Sequence, residues 1–209
     1  MSNPVVKNAV LLAIFALICT LLVVLTHQLT STDIASQKQA KLSRSLKQVI
    51  PPKLVNAALL KNCRLIRYPN YLGDNKEHRV WVAKQKNQLQ AIAYQTIAPD
   101  GYNGAISLLV GVLSNGKIYG VRVISEHETP GLGDNIELRK SNWILEFDGK
   151  KLRSPNDSRW AVKKDGGMFD QFTGATITPR AVVNAVKRTL ELNRLKVKQI
   201  VNATQRCGD

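Results

Sequence analysis

Two short segments hold residue types and spacings that suit chemistry. The first is Asp170-Gln171-Phe172-Thr173-Gly174-Ala175-Thr176-Ile177-Thr178-Pro179. Gly174 and Ala175 are small and leave the Thr176 hydroxyl accessible. Thr178 is a good N-cap residue and Pro179 suits the first helical position, so a helix is predicted to start at Thr178. Helix N-termini present unpaired N–H groups and the positive end of the dipole, which favours phosphate. Lys163 and Lys164, a few residues upstream, would add positive charge. A phosphate on or beside Thr176 is one reading; a plain N-capping loop is the other. The second segment is Glu126-His127-Glu128-Thr129-Pro130-Gly131-Leu132-Gly133-Asp134. Residues 123–138 contain four acids and no Lys or Arg, in a chain of net charge +15. Pro130, Gly131 and Gly133 allow a tight turn whose backbone can approach a ligand closely. A solvated turn after a strand is the competing explanation.

Other chemistries find no support. The sequence has no CxxC pair and no HExxH, and His27, His78 and His127 are scattered, so no metal site is expected. It contains neither GxSxG nor a Walker segment.

The elements that must position these segments begin with an anchor. Residues 9–26 carry no charge, and as a helix they would span about 27 Å, close to the hydrocarbon thickness of a bilayer. The following His27-Gln28-Leu29-Thr30 is a poor signal-peptidase site, which favours an uncleaved anchor. Lys7 precedes the run, and no basic residue falls between 27 and 37, which favours an amino end inside and residues 27–209 outside the cytoplasm. Residues 33–50 read as a helical stalk with apolar Ile34, Leu42, Leu46, Val49 and Ile50, stopped by Pro51-Pro52. A short helix is expected over Leu54 to Leu60.

Beyond it lie strand signals. Val80-Trp81-Val82-Ala83 and Leu89 to Ile97 form a predicted hairpin across residues 84–88. Ile106 to Leu113 and Ile118 to Ile124 form another across Asn115-Gly116, a strong turn signal. Trp143 to Phe147 reads as a helix end or an inner strand, and Trp160-Ala161-Val162 as a strand edge. Val182, Val186 and Leu190 make the buried stripe of a last helix. The organisation is a cytoplasmic N-terminus over 1–8, a transmembrane helix over 9–26, a stalk over 27–52 and one α+β domain over 53–209. Cys19 lies in the anchor. Cys63 and Cys207 are either a disulfide, allowed in an oxidising compartment, or two separate thiols.

With these residues in view, Asp170-x-x-Thr173-Gly174-Ala175-Thr176 resembles the D-x-x-[S/T]-G-A-T signature of proteins that carry FMN as a phosphoester on the final threonine. Glu128-Thr129-Pro130-Gly131-Leu132-Gly133 resembles the flavin-contacting loop of the same family, and Gly101-Tyr102-Asn103-Gly104 before an apolar strand also fits. Together with the single N-terminal span, the whole chain is similar to the G-subunit family of Rnf (Rsx) electron transport complexes.

The resemblance implies a periplasmic domain on the bacterial inner membrane, with FMN held covalently on Thr176. Thr173, Gly174, Ala175, Glu128, Thr129, Gly131, Leu132, Gly133 and Lys163 would surround it. Asp170 and Thr173 to Thr176 would be recognised by a flavin transferase during maturation. Partners would be the membrane and the multi-span, iron–sulfur and flavin subunits of a complex that passes electrons between ferredoxin and NAD while moving Na⁺ or H⁺. The family pattern also favours a Cys63–Cys207 disulfide. The carrier would have no catalytic residue of its own.

Two alternatives stand beside it. One is the homologous C subunit of Na⁺-translocating NADH:quinone reductase, which is usually longer. The other is a non-redox, membrane-anchored scaffold whose basic surface meets anionic polymer or lipid. Nucleic acid is not expected as a partner, because a translocated domain rarely meets it.

Overall fold

The computed structural model describes residues 4–207, with the side chains of 28–39, 41 and 57 outside the description. The predicted apolar stalk position Ile34 is among those outside it. The chain divides into two compact units, Met1–Leu42 and Ser43–Asp209. The first consists of most of α1 (Pro4–Val49), whose stretch Pro4–His27 is long and apolar enough to cross a membrane. Two of its hydroxyls are satisfied within the helix: that of Thr20 donates to the Ala16 carbonyl at 2.8 Å and that of Thr26 to the Leu22 carbonyl at 2.8 Å. Such bonds let threonine sit in hydrocarbon.

The second unit is built on five antiparallel strands in simple sequence order, β1 (Cys63–Ile66), β2 (His78–Gln85), β3 (Gln88–Ala98), β4 (Ile106–Leu113) and β5 (Ile118–Ser125). Two short helices, α2 (Ala57–Lys61) and α3 (Pro69–Leu72), flank β1. The helix expected over Leu54 to Leu60 is two pieces, a 3-10 turn at Pro52–Leu54 and then α2. Asn56 interrupts them because its side chain caps the Leu59 N–H at 2.8 Å. The first predicted hairpin is tighter than its sequence suggests. Only Lys86 and Asn87 turn, both at positive φ, which matches the twist of the strands they join. At the second, Gly116 takes φ +79° in a three-residue loop.

Each face of the sheet has its own cover. One face packs on α4 (Ile177–Val201) through Val182, Val186 and Leu190, the predicted stripe, against Ile92, Tyr94, Leu108 and Val110. The other carries a row of residues in register, Cys63, Trp81, Ala93, Gly111 and Gly120. This row ends in glycine because the last turn of α1 lies directly on it. A Cβ at Gly111 would fall 1.5 Å from the Val49 carbonyl oxygen, and one at Gly120 would fall 2.5 Å from that of Gln48. Arg122 Nε donates to the Gln48 side chain at 2.8 Å beside the same seat. Leu46, Val49 and Ile50 are fully buried there.

The free edge of β1 is protected by the chain that follows α4. The Leu65 N–H donates to the Gln205 carbonyl at 3.0 Å, and the Cys207 N–H donates to the Cys63 carbonyl at 3.2 Å. Cys63 and Cys207 are joined as a disulfide with a Cα–Cα distance of 5.4 Å. Arg64 caps α4 from the same strand, donating to the Ile200 and Val201 carbonyls.

Two outcomes follow. Gly111→Val should lower the unfolding free energy of the detergent-solubilised chain by about 3 kcal/mol, since an overpacked seat must lift the helix end. A thermal melt should read this as a midpoint drop of about 6–12 °C. Separately, paired Cys63→Ser and Cys207→Ser changes should cost about 5 kcal/mol by the loop-closure argument, because the bridge closes a loop with a sequence separation of 144. Adding reductant to the native chain should lower its denaturant midpoint, and should leave that of the serine variant unmoved.

Candidate functional site

Three connections converge at one end of the sheet: the β3–β4 turn, the segment after β5, and the start of α4. Glu128 holds them together. It is buried, and its carboxylate accepts the Asn103 N–H at 3.1 Å and the Thr178 hydroxyl. Asn103 also donates from its side chain to the His127 carbonyl at 2.6 Å. Two glycines allow the approach. A Cβ on Gly101 would lie 2.9 Å from Glu128 Oε1, and one on Gly133 would lie 2.8 Å from Oε2. Thr178 is therefore not the helix cap that its position suggests. The helix begins at Ile177, and the Thr178 hydroxyl is spent on Glu128.

The loop after Glu128 is tied by its own groups. The Thr129 carbonyl accepts the Leu132 and Gly133 N–H groups, both at 3.1 Å. Gly131, at φ +77°, donates its N–H to Asp134 Oδ1 at 2.7 Å. The Asn135 amide donates to the Leu132 carbonyl at 3.0 Å. Leu132 is left projecting, 41% exposed. The acidic patch is partly neutralised by the two cations that follow it: Asp134 pairs with Lys140 at 3.0 Å and Glu137 pairs with Arg139. The Lys140 ammonium beside Asp134 holds its carboxyl below the ordinary value. Burial, helped by neighbouring Glu137 and Asp134, pushes that of Glu126 up.

The Asp170–Thr176 segment hangs from an aromatic cluster. Phe169 stacks on Phe147 with ring centroids 4.5 Å apart, and Trp143 meets Phe172 edge to face at 5.3 Å. Trp143 Nε1 donates to the Asp170 carbonyl at 2.7 Å. The Trp143–Phe147 stretch is thus a 3-10 turn rather than a helix end or a strand. From Phe172 the chain reverses through Thr173 and Gly174, with the Ala175 N–H donating to the Phe172 carbonyl at 3.1 Å and Gly174 at φ +80°. Thr173 and Gly174 are exposed, and Ala175 and Thr176 are half-buried. Thr176 sits at the N-cap of α4 with backbone angles in the helical region, and its side chain makes no capping bond. Its hydroxyl is therefore not consumed by the helix, whose first N–H groups lie beside it. Ile177, 45% exposed, flanks it.

The two loops meet. A Cβ on Gly174 would stand 3.7 Å from Leu132 Cδ2, so the Leu132 side chain borders the Thr173–Ala175 turn. Lys163 forms an ion pair with Asp170, and that carboxylate is the main reason its ammonium pKa is raised. Burial pushes Glu146, which accepts the Asp170 N–H at 3.3 Å, above its ordinary value.

The chain is similar to known proteins along its whole length. The FMN-binding domain family matches residues 101–191, and the RnfG N-terminal region matches residues 1–49. The chain is 48% identical over 207 residues to the G subunit of the ion-translocating oxidoreductase complex of Shewanella loihica, covering 99% of this chain and 98% of that one. It is 48% identical over 207 residues to the same-named protein of Vibrio cholerae, covering 99% of each. The chain belongs to the G-subunit family of ion-translocating oxidoreductase complexes. The FMN-binding match spans the Gly101 turn, both loops, the aromatic cluster and the first part of α4.

Of the residues singled out in the sequence, Leu132 meets the Thr173–Ala175 turn that leads into Thr176, and Lys163 pairs with Asp170 at the start of that segment. The support beneath them leaves no such mark. Trp143, Asn103 and Thr178 act through contacts 27, 25 and 50 residues apart in sequence, and no local pattern marks such partners.

Removing the Glu128 carboxylate would strand the Thr178 hydroxyl and the Asn103 N–H. Glu128→Ala is expected to lower the unfolding free energy by about 3 kcal/mol. Glu128→Gln should cost less, because its carbonyl still accepts one of the two bonds. Denaturant melts of the two variants would test that order.

Proposed function

We propose that this chain is the flavin-carrying electron-transfer subunit of an ion-translocating ferredoxin:NAD oxidoreductase, with FMN held by a phosphoester on Thr176. The FMN-binding domain match and the G-subunit relatives support the carrier role. The observation that carries the linkage is the Thr176 hydroxyl, placed at the start of a 25-residue helix and making no capping bond. The chain reads as a single-pass membrane protein, with residues 43–209 on the periplasmic side of the bacterial inner membrane.

The residues present fit the cofactor. A phosphodiester on Thr176 keeps one negative charge, and the first N–H groups of α4 stand ready to offset it. Lys163 stands at the edge of the segment with its charge met by Asp170. Leu132 and Ile177 offer exposed apolar surface on which a flat ring system can rest. Thr129, Gly131 and Gly133 shape the loop that holds Leu132 out. Glu128 acts beneath that loop, positioning it rather than facing solvent. FMN supplies the capacity to accept and release electrons; the protein orients it and keeps it attached.

Asp170, more than half exposed and paired with Lys163, is open to a flavin transferase that reads the Asp170-x-x-Thr173-Gly174-Ala175-Thr176 segment. The other partners are the remaining subunits of the complex. The relatives' name gives no weight to the quinone-reductase or scaffold alternatives.

Thr176→Val should abolish covalent flavin and leave the fold intact, since the hydroxyl makes no structural bond. Intact mass and peptide mapping after co-expression with a flavin transferase decide it. The native chain should gain the mass of FMN less water on the Thr176 peptide, and the variant should gain nothing. An unmodified native peptide beside an active transferase would defeat the linkage.

A further inference from the structure

A cleft of about 330 Å³ opens at the far end of α4, between that helix, the β4–β5 turn and residues 151–153. Thr176 and Arg194 are 18 residues apart in sequence, so along the helix the cleft is about 27 Å from the proposed flavin threonine. Its floor is apolar, formed by the buried Ile92, Val112 and Leu190. Its rim carries three exposed cations, Lys151, Arg153 and Arg194, and no acid lines it. Among the described residues none of these three has an ion-pair partner, whereas Lys140, Lys163, Arg139, Arg159 and Arg180 all do. Asn193 adds a fixed donor. Its side-chain oxygen accepts the hydroxyl of the buried Tyr94 at 2.7 Å, which leaves its amide N–H groups for an occupant.

We infer that this cleft docks an acidic segment of a neighbouring protein of the complex, seating one apolar side chain on the floor and its flanking carboxylates against Lys151, Arg153 and Arg194. The size suits a side chain, since the volume lies at the small end for a pocket. The charge supports carboxylates, because unpaired cations grouped on one rim are complementary to clustered acids and suppress basic partners. The position supports docking over chemistry, since an occupant here leaves the Leu132 and Thr176 surface open. The inference rests on the chain being part of such a complex, and not on the Thr176 linkage.

The test is purification of the detergent-solubilised complex through a tag on another of its proteins. Lys151→Glu, Arg153→Glu and Arg194→Glu together should reduce co-purification of this chain to under a tenth of the native level. Covalent flavin, read separately by in-gel fluorescence, should be unchanged. The charge-keeping set Lys151→Arg, Arg153→Lys and Arg194→Lys should restore assembly. Full co-purification of the glutamate variant would overturn the proposal. So would loss of assembly in the charge-keeping set, which would point to shape rather than charge. If the glutamate variant also loses its flavin, the set Lys151→Gln, Arg153→Gln and Arg194→Gln replaces it with the same expectation and the same refutation. A parallel arm measures binding of the chain to phosphatidylglycerol vesicles. Binding that depends on the three cations while assembly survives their reversal would make the cleft a lipid site and overturn the docking reading.

Discussion

A buried carboxylate with two hydrogen-bond donors has few ways to be satisfied, and the geometry of the candidate site depends on the way Glu128 achieves it. Its oxygens reach the backbone of the β3–β4 turn on one side and a hydroxyl in the first turn of α4 on the other. Neither contact could form with a larger residue at Gly101 or Gly133. The loop carrying Leu132 and the helix start carrying Thr176 are therefore held at a fixed distance by one side chain, beneath a surface that stays open. A buried acid is expensive unless fully bonded, so a cofactor site resting on this one inherits its rigidity.

The sheet solves a different problem, which is to be covered on both faces by helices of unequal reach. On the α4 side, Ile92, Tyr94, Leu108 and Val110 give the large, interlocking surface that a long helix can bury. On the other side the end of α1 arrives with its carbonyls pointing at the strands. Small residues at Ala93, Gly111 and Gly120 let those carbonyls come down onto the backbone. The cost is the intrinsic weakness of glycine within strands. Trp81 and the disulfide at Cys63 complete the same row, so the face changes from bulky to bare across the sheet in step with what lies above it.

This division explains which features are legible in the sequence. Alternation and an Asn-Gly turn expose β2 to β5, because strand period and turn chemistry are local. The Val182, Val186 and Leu190 stripe exposes α4 for the same reason. The Thr173–Thr176 and Thr129–Gly133 segments are legible because a close backbone approach requires small residues at fixed spacing. Thr178 misleads through a sound local rule: a threonine before proline is a good cap, but a buried carboxylate 50 residues away competes for its hydroxyl. Trp143 is ambiguous because its role, an indole N–H on the Asp170 carbonyl, exists only once Phe169 and Phe172 have packed. Cys63–Ile66 escapes notice as a strand because Arg64 breaks the apolar pattern, and Arg64 is there to cap the far end of α4.

The exposure of the candidate site bears on the covalent attachment proposed for it. Leu132 and Ile177 remain 41% and 45% exposed, and Thr173 and Gly174 are exposed. A platform this open buries little of any ligand, and affinity falls with the surface left in water. A carrier needs the opposite of a deep pocket, because its redox group must come close to donors and acceptors on other proteins. The proposed attachment through Thr176 would remove the conflict. Retention would then come from the ester rather than from burial, the α4 N-terminus would offset the phosphate charge, and the ring could lie at the surface where exchange of electrons requires it.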